Sequence, residues 1–194
     1  MKKSNHFFAY MSRMRFIQRW ALMRNTFAEN VQEHSHTVAI LAHALAVIRN
    51  KRYGGSINIE KVMLLATYHE APEVITGDIA TPIKYFNPKI KNSFKAIERM
   101  ASEQLLDYLP EDLRSEYEPL LLPDEETEEW KLVKAADKIS AYLKCLEEEG
   151  YGNQEFMAAK QNIESSIRAL NLPEVNDFMD QFAPSFMLPL DGLN

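Results

Sequence analysis

Between Asn58 and Glu70 the chain carries Val62, Met63, Leu64, Leu65 and Ala66 in unbroken succession and closes on Tyr68, His69 and Glu70. The spacing predicts a helix over residues 58–70 that is apolar nearly all round, and such a helix belongs in the middle of a molecule, not on its surface. Something must cover it on every side, and the rest of the sequence offers mainly helices to do so. Six glycines in 194 residues leave little room for hairpin turns, and the apolar residues recur at helical spacing, so an all-α helical bundle is expected and no strand is predicted. Apolar residues make up 46% and charged residues 26% of the chain, an ordinary globular balance that argues against disorder. The length suits one well-cored domain and is short for two, so residues 1–194 are read as a single domain.

The covering helices can be placed. Phe7, Phe8, Met11, Met14 and Ile17 predict a first helix over residues 4–18, followed by a loop from Trp20 to Ala28. Asn30 with Glu33 three residues on forms a capping box that starts a helix reaching about Asn50, with Val31, His34, Val38, Leu41 and Leu45 along one face. Tyr53-Gly-Gly-Ser ends it. Pro72 suits a first turn after a break, and the stretch from Thr76 to Pro82 reads as a loop. Pro88 opens a helix lasting to about Tyr108. A short helix follows near Glu111 to Leu120, then a long one over 125–149 punctuated by Gly150 and Gly152, and two more over 153–170 and 174–182.

Net charge is −6, which argues against a nucleic acid polymer as partner. The charges are unevenly spread. Lys2, Lys3, Arg13, Arg15, Arg19 and Arg24 occupy residues 1–28 without a single acid, whereas Pro110 to Gly150 is strongly acidic. A local basic region on an acidic protein suits a small anion, and equally a solvated helix face. The lone Cys145 cannot form an internal disulfide; it reads as a buried inert thiol in a chain made for a reducing compartment. No signal peptide and no apolar run long enough to span a membrane are visible, so the expected location is the cytoplasm, away from any membrane.

Two of the five histidines stand out. His34 lies just inside a capped helix start on its apolar face, and His69-Glu70 ends the buried helix. Titratable groups in such places are costly unless satisfied, and a divalent metal satisfies imidazole and carboxylate alike. Asp137 supplies a third element, placed in Lys134-Ala-Ala-Asp-Lys-Ile among Leu132, Val133, Ile139 and Leu143. Asp is a poor interior helix residue. Core histidines bonded to backbone and an Asp paired with a lysine or arginine are the alternatives at this point.

His…His-Glu…Asp over three helices resembles the HD-domain phosphohydrolase signature. The resemblance is closest to the bacterial YfbR-type 5′-deoxynucleotidases. It extends through Phe7-Phe-Ala, Arg19-Trp-Ala-Leu-Met-Arg-Asn25, Glu29-Asn-Val-Gln-Glu-His-Ser35, Leu65-Ala-Thr-Tyr-His-Glu-Ala-Pro-Glu-Val74, Thr76-Gly-Asp78, Thr81-Pro-Ile-Lys-Tyr-Phe86, Ala141-Tyr-Leu-Lys-Cys-Leu-Glu-Glu148 and Pro184-Ser-Phe186. It implies an HD-type bundle, a homodimer, and one divalent metal ion, cobalt or manganese, with zinc and magnesium also compatible with such a ligand set. It implies hydrolysis of the 5′-phosphate of 2′-deoxynucleoside 5′-monophosphates. His34, His69, Glu70 and Asp137 would hold the metal. Arg19 would contact the phosphate, Trp20 would shape a sugar pocket that disfavours a 2′-hydroxyl, and Glu73 and Asp78 match the acidic catalytic positions. Lys84 would add positive charge to the substrate site or stand as a solvated loop lysine.

The chain departs from the motif at Glu70, where the family has Asp, and at Pro72. One added methylene moves the carboxylate by about an ångström, while ligand distances tolerate only about 0.2 Å. Either the helix end shifts so that Glu70 still binds, or metal and activity weaken, or the protein is a nucleotide binder with lost catalysis. An HD phosphohydrolase acting on another phosphoester is the remaining alternative.

Overall fold

The computed structural model describes residues 5–84 and 86–193; Lys2, Lys3, the first residue of the expected first helix and Tyr85 lie outside them. Among the described residues the architecture is helical throughout, and extended pairing is limited to one isolated bridge between Gln18 and Asn30. In chain order the helices are α1 (Phe7–Met11), α2 (Val31–Arg52), α3 (Ile59–Tyr68), α4 (Glu73–Thr76), α5 (Thr81–Lys84), α6 (Pro88–Asp107), α7 (Glu111–Leu121), α8 (Glu128–Gly150), α9 (Met157–Arg168) and α10 (Pro173–Gln181). No helix among the described residues is long and apolar enough to cross a membrane.

Helix α2 begins where the capping box predicts. The Asn30 side chain accepts from the Gln32 and Glu33 amides, and Glu33 reaches back to the Asn30 amide. Its buried face presents Val31, His34, Val38, Leu41 and Leu45. It packs on α3 and α8. Ala42, Ala46, Ala66, Ala135 and Ala136 lie in this three-helix contact; small residues let the backbones approach closely, so short side chains can meet across the gap. Val175, Phe178 and Met179 of α10 and Ile167 of α9 close this core. A second, smaller core joins Phe7 of α1, Ala71, Leu105 and Leu106 of α6, Leu109, and Leu121 of α7. The chain passes from the first core to the second between Ala66 and Ala71, and His69-Glu70 occupies that passage.

Three expectations need correction. The first helix is not continuous over 4–18: α1 stops at Met11, the Ser12 hydroxyl turns back to the Ala9 carbonyl, and a separate 3-10 turn follows at Met14–Phe16. Helix α3 is not buried on all sides. Val62, Leu65 and Ala66 are buried, but Met63 and Leu64 are 40% and 49% exposed, because α2, α7 and α8 cover one face only. The stretch after Asp78 is not loop throughout, since Thr81-Pro-Ile-Lys forms the short helix α5 against α6. The aromatic residues near the C-terminus divide: Phe178 is core, while Phe182 and Phe186 are exposed.

Candidate active site

His34, His69, Glu70 and Asp137 converge. One ligand atom from each lies within 4.8 Å of the others, although the residues come from α2, the end of α3 and α8. His34 Nε2 is 3.1 Å from Asp137 Oδ1. His69 Nε2 is 3.3 Å from Glu70 Oε1 and 3.9 Å from Asp137 Oδ1. Both imidazoles are fully buried.

The far nitrogens explain why the near ones face inward. His69 Nδ1 lies 2.7 Å from the Ala66 carbonyl, which can only accept, so the proton sits on Nδ1 and Nε2 keeps a lone pair. That Nε2 is buried with no hydrogen-bond partner. His34 Nδ1 meets the Ser140 hydroxyl at 3.1 Å; Ser140 stands one helical turn beyond Asp137, so one face of α8 serves both sides of the cluster. Burial, with Arg19 nearby, lowers the His34 pKa and keeps the ring neutral, as a ligand must be. Asp137 and Glu70 are held ionised: burial opposes their charge, but Lys134 and the two histidines prevail at Asp137, and His69 with Glu73 lowers Glu70 to about 2. A neutral His34 whose Nε2 donates to Asp137 and can exchange that proton for a metal, a buried His69 Nε2 without a hydrogen bond, and two carboxylates fit a divalent transition metal.

Glu70 takes its place because α3 ends before it. His69 caps the helix, and the following hydrogen bonds tighten to Ala71 N–H on the Tyr68 carbonyl and Glu73 N–H on the Glu70 carbonyl. The longer side chain therefore leaves from a turn, not from the helix barrel, and still arrives in the cluster.

Glu73, first residue of α4, is buried beside Glu70. Burial and then the Glu70 charge and hydrogen bond push its carboxyl up to about 11, so the pair shares one proton, held on Glu73. Asp78 follows Gly77 (φ +72°) on an exposed loop. The protein packed around its carboxyl raises the pKa, against the pull of Arg19. Arg19 is mostly buried, and the carboxylates of Glu70, Asp137, Glu29 and Asp78 outweigh its desolvation. Its Nε donates to Glu29 Oε2 at 3.0 Å; no described residue accepts from its two terminal nitrogens. Trp20 Nε1 donates to the same carboxylate oxygen at 3.1 Å, and its ring meets Phe156 edge-on at 5.3 Å. Lys84 sits on α5, ion-paired with Glu98 of α6 at 2.5 Å. It lines a cleft of about 550 Å³ together with His69, Glu70 and Glu73. Cys145 plays no part: it is buried, and burial raises its thiol to about 12.

The structure thus brings Arg19, Glu73 and Asp78 into electrostatic contact with the four-residue cluster, and Trp20 beside Arg19. Sequence reading left Glu29 and Ser140 without roles. Glu29 anchors both Arg19 and Trp20; in the sequence it stood only at the head of a matched stretch, before the cap residue Asn30, with no role of its own. Ser140 backs His34, signalled only by its offset of three from Asp137.

Comparison with known proteins agrees with this geometry. A sequence model of the 5′-deoxynucleotidase YfbR-like family matches residues 6–186. The 5′-deoxynucleotidases YfbR of Shigella boydii and Escherichia coli are 51% identical to the chain, over 99% of it and 97% of their own length. Among solved structures, an HD-domain phosphohydrolase from Listeria innocua superposes with a TM-score of 0.82 at 21% identity, covering 95% of this chain and 90% of that one. The HD phosphohydrolase of cyanophage S-2L, solved with dA and one catalytic zinc ion, superposes with a TM-score of 0.63 at 20% identity, covering 92% and 95%.

Proposed function

The chain belongs to the YfbR-like 5′-deoxynucleotidase family, and from that premise we propose that it removes the 5′-phosphate of 2′-deoxynucleoside 5′-monophosphates with one divalent metal ion. The observation that carries the reading is the buried, unpartnered His69 Nε2 facing His34, Glu70 and Asp137. These four residues would hold the ion, which would supply Lewis acidity at the phosphoryl group and lower the pKa of water there. Cobalt and manganese are the favoured ions, and the donor set also suits zinc.

This chain's side chains do the rest. The terminal nitrogens of Arg19 form a planar fork for two phosphate oxygens. Glu73, buried beside Glu70, is the base that accepts the proton of the attacking water. Asp78, with its raised pKa, gives a proton to the leaving 5′-oxygen. Trp20 packs on the sugar and crowds a 2′-hydroxyl. Lys84 lends positive charge to the cleft. A cytoplasmic homodimer goes with this reading, and the exposed Phe182, Phe186, Met187 and Leu188 supply apolar surface for it.

Phosphate release from deoxy- and ribonucleoside 5′-monophosphates, with EDTA or with added cobalt, manganese, magnesium or zinc, tests the proposal. Metal-dependent release from deoxy substrates is expected, with Glu70→Asp remaining active. Silence of the wild type with a gain in Glu70→Asp would instead mean that Glu70 has disabled the site, leaving a nucleotide binder. Silence in both would remove the assignment.

A further inference from the structure

Arg19 and Trp20 stand on an irregular segment between the first 3-10 turn and α2, yet they must hold their side chains against a buried cluster. Trp20 adopts φ +56°, a left-handed conformation that bulky residues avoid. Such a conformation persists only where its surroundings over-determine it. The surroundings here are the C-terminal half of α8. Lys144 and Glu148, one turn apart, are 2% and 0% exposed and pair at 2.5 Å. Lys144 Nζ also donates to the Phe27 carbonyl at 2.7 Å and lies 3.5 Å from the centre of the Phe27 ring. Both Glu148 oxygens accept from the Thr26 amide, at 3.1 and 2.9 Å. Asn153 Nδ2 joins Glu148 Oε2 at 2.7 Å to the Arg24 carbonyl at 2.8 Å. The backbone of residues 24, 26 and 27 therefore terminates on Lys144 and Glu148 of α8 and on Asn153 just beyond its end, and Phe156, three residues further on, receives the Trp20 ring.

Apolar residues of similar volume fill a core as well as a buried ion pair does, or better. They cannot bind the amide and carbonyl groups of a loop, and this pair does both. We propose that Lys144, Glu148 and Asn153 are positioning residues that fix the segment carrying Arg19 and Trp20, and thereby set KM and the preference for a deoxy sugar without touching substrate. The inference rests on the assignment of Trp20 to the sugar pocket made above. Consistent with it, Glu148 is held at about 2, burial being outweighed by Lys144, Asn153 and the Thr26 amide, so the carboxylate stays charged at neutral pH.

The test uses Trp130→Phe protein, in which Trp20 is the single tryptophan. Into it goes Lys144→Met/Glu148→Met, which removes both charges at similar volume and leaves the Thr26 amide and Phe27 carbonyl without partners. Acrylamide quenching of Trp20 fluorescence should rise. KM for deoxynucleotides should rise with a smaller change in kcat, and the deoxy-to-ribo ratio of kcat/KM should fall roughly 10–100-fold, the scale of a misplaced binding group. Metal stoichiometry should not change. Asn153→Asp keeps the acceptor that caps Glu155 but loses the bridging amide, and should shift every readout the same way by less; it decides the matter if the double variant fails to fold. Unchanged quenching and unchanged selectivity in folded variants would overturn the proposal. A wild type inactive on nucleotides would overturn the functional assignment instead, and quenching would still decide whether α8 fixes the loop.

Discussion

Glu70 and Glu73 are two carboxylates a single turn apart held in opposite protonation states, and the difference lies in what surrounds each. Glu70 faces His69 and is held ionised, as a ligand requires; Glu73 has one oxygen buried without a partner and is held protonated by burial and by Glu70. The proposed mechanism makes Glu73 the base and Glu70 a ligand. Glu73→Ala should therefore lower kcat by about 10²–10⁴-fold, the range of a lost acid–base group, while leaving the affinity for manganese, read by calorimetry, within a few-fold of wild type. Loss of metal affinity in step with kcat would make Glu73 a ligand and not a base. Glu29 and Ser140 act at the same scale from behind, and neither was legible beforehand. Each gains its role from a partner fixed by tertiary contact: Glu29 through Arg19 and Trp20, Ser140 through His34, more than a hundred positions away in sequence.

At the scale of elements, the capping box of α2 does more than start a helix. It sets the residue at which helical geometry begins, and His34 follows Asn30 by one turn, so the cap fixes the angle at which the imidazole enters the core. Asn30→Ala should destabilise the protein by about 1 kcal/mol, read as a lower urea midpoint at unchanged slope. This cap was readable because its partners are local. So were α6 and α8, by Pro88 at the start of one and Gly150 at the end of the other. The burial of α3 was misread for the opposite reason: Met63 and Leu64 are as apolar as Leu65, and only the placement of neighbouring helices decides which are covered. The inner side of α8 was half legible, Asp137 by its oddity and Glu148 only as the end of a matched stretch without a role. Glu148 now carries a pH dependence. Its folded pKa is depressed, so its contribution is complete above the unfolded value near 4.5 and disappears as pH falls toward about 2. Glu148→Gln should cost about 3–5 kcal/mol at neutral pH, because Lys144 stays buried and uncompensated. It should also flatten the loss of stability between pH 4.5 and 2, measured by urea unfolding at stepped pH.

For the molecule as a whole, the cluster is where the two cores meet. His34 and Asp137 belong to helices of the larger core, and His69-Glu70 lies on the passage to Ala71 in the smaller one. This junction gathers the carboxyls of Glu70, Glu73 and Asp137; the Asp137 charge opposes that of Glu70, and the Glu70 charge opposes ionisation of Glu73. The ion proposed above, held by His34, His69, Glu70 and Asp137, would offset that repulsion and tie α2, α3 and α8 together, and it would have no equivalent partner in the unfolded chain. Free metal at a hundred times its dissociation constant should then stabilise the fold by about 2.7 kcal/mol, a rise in Tm of roughly 5–10 °C for a chain of this size. Because protons compete for the His34 imidazole, whose pKa burial and Arg19 lower in the folded protein, the rise should begin to shrink only below the ordinary histidine value of about 6.5. Asp137→Asn should lose most of it at every pH. Calorimetric scans of both proteins, with EDTA and with manganese, need no substrate; an equal metal-induced shift in the variant would place the ion elsewhere than at the junction.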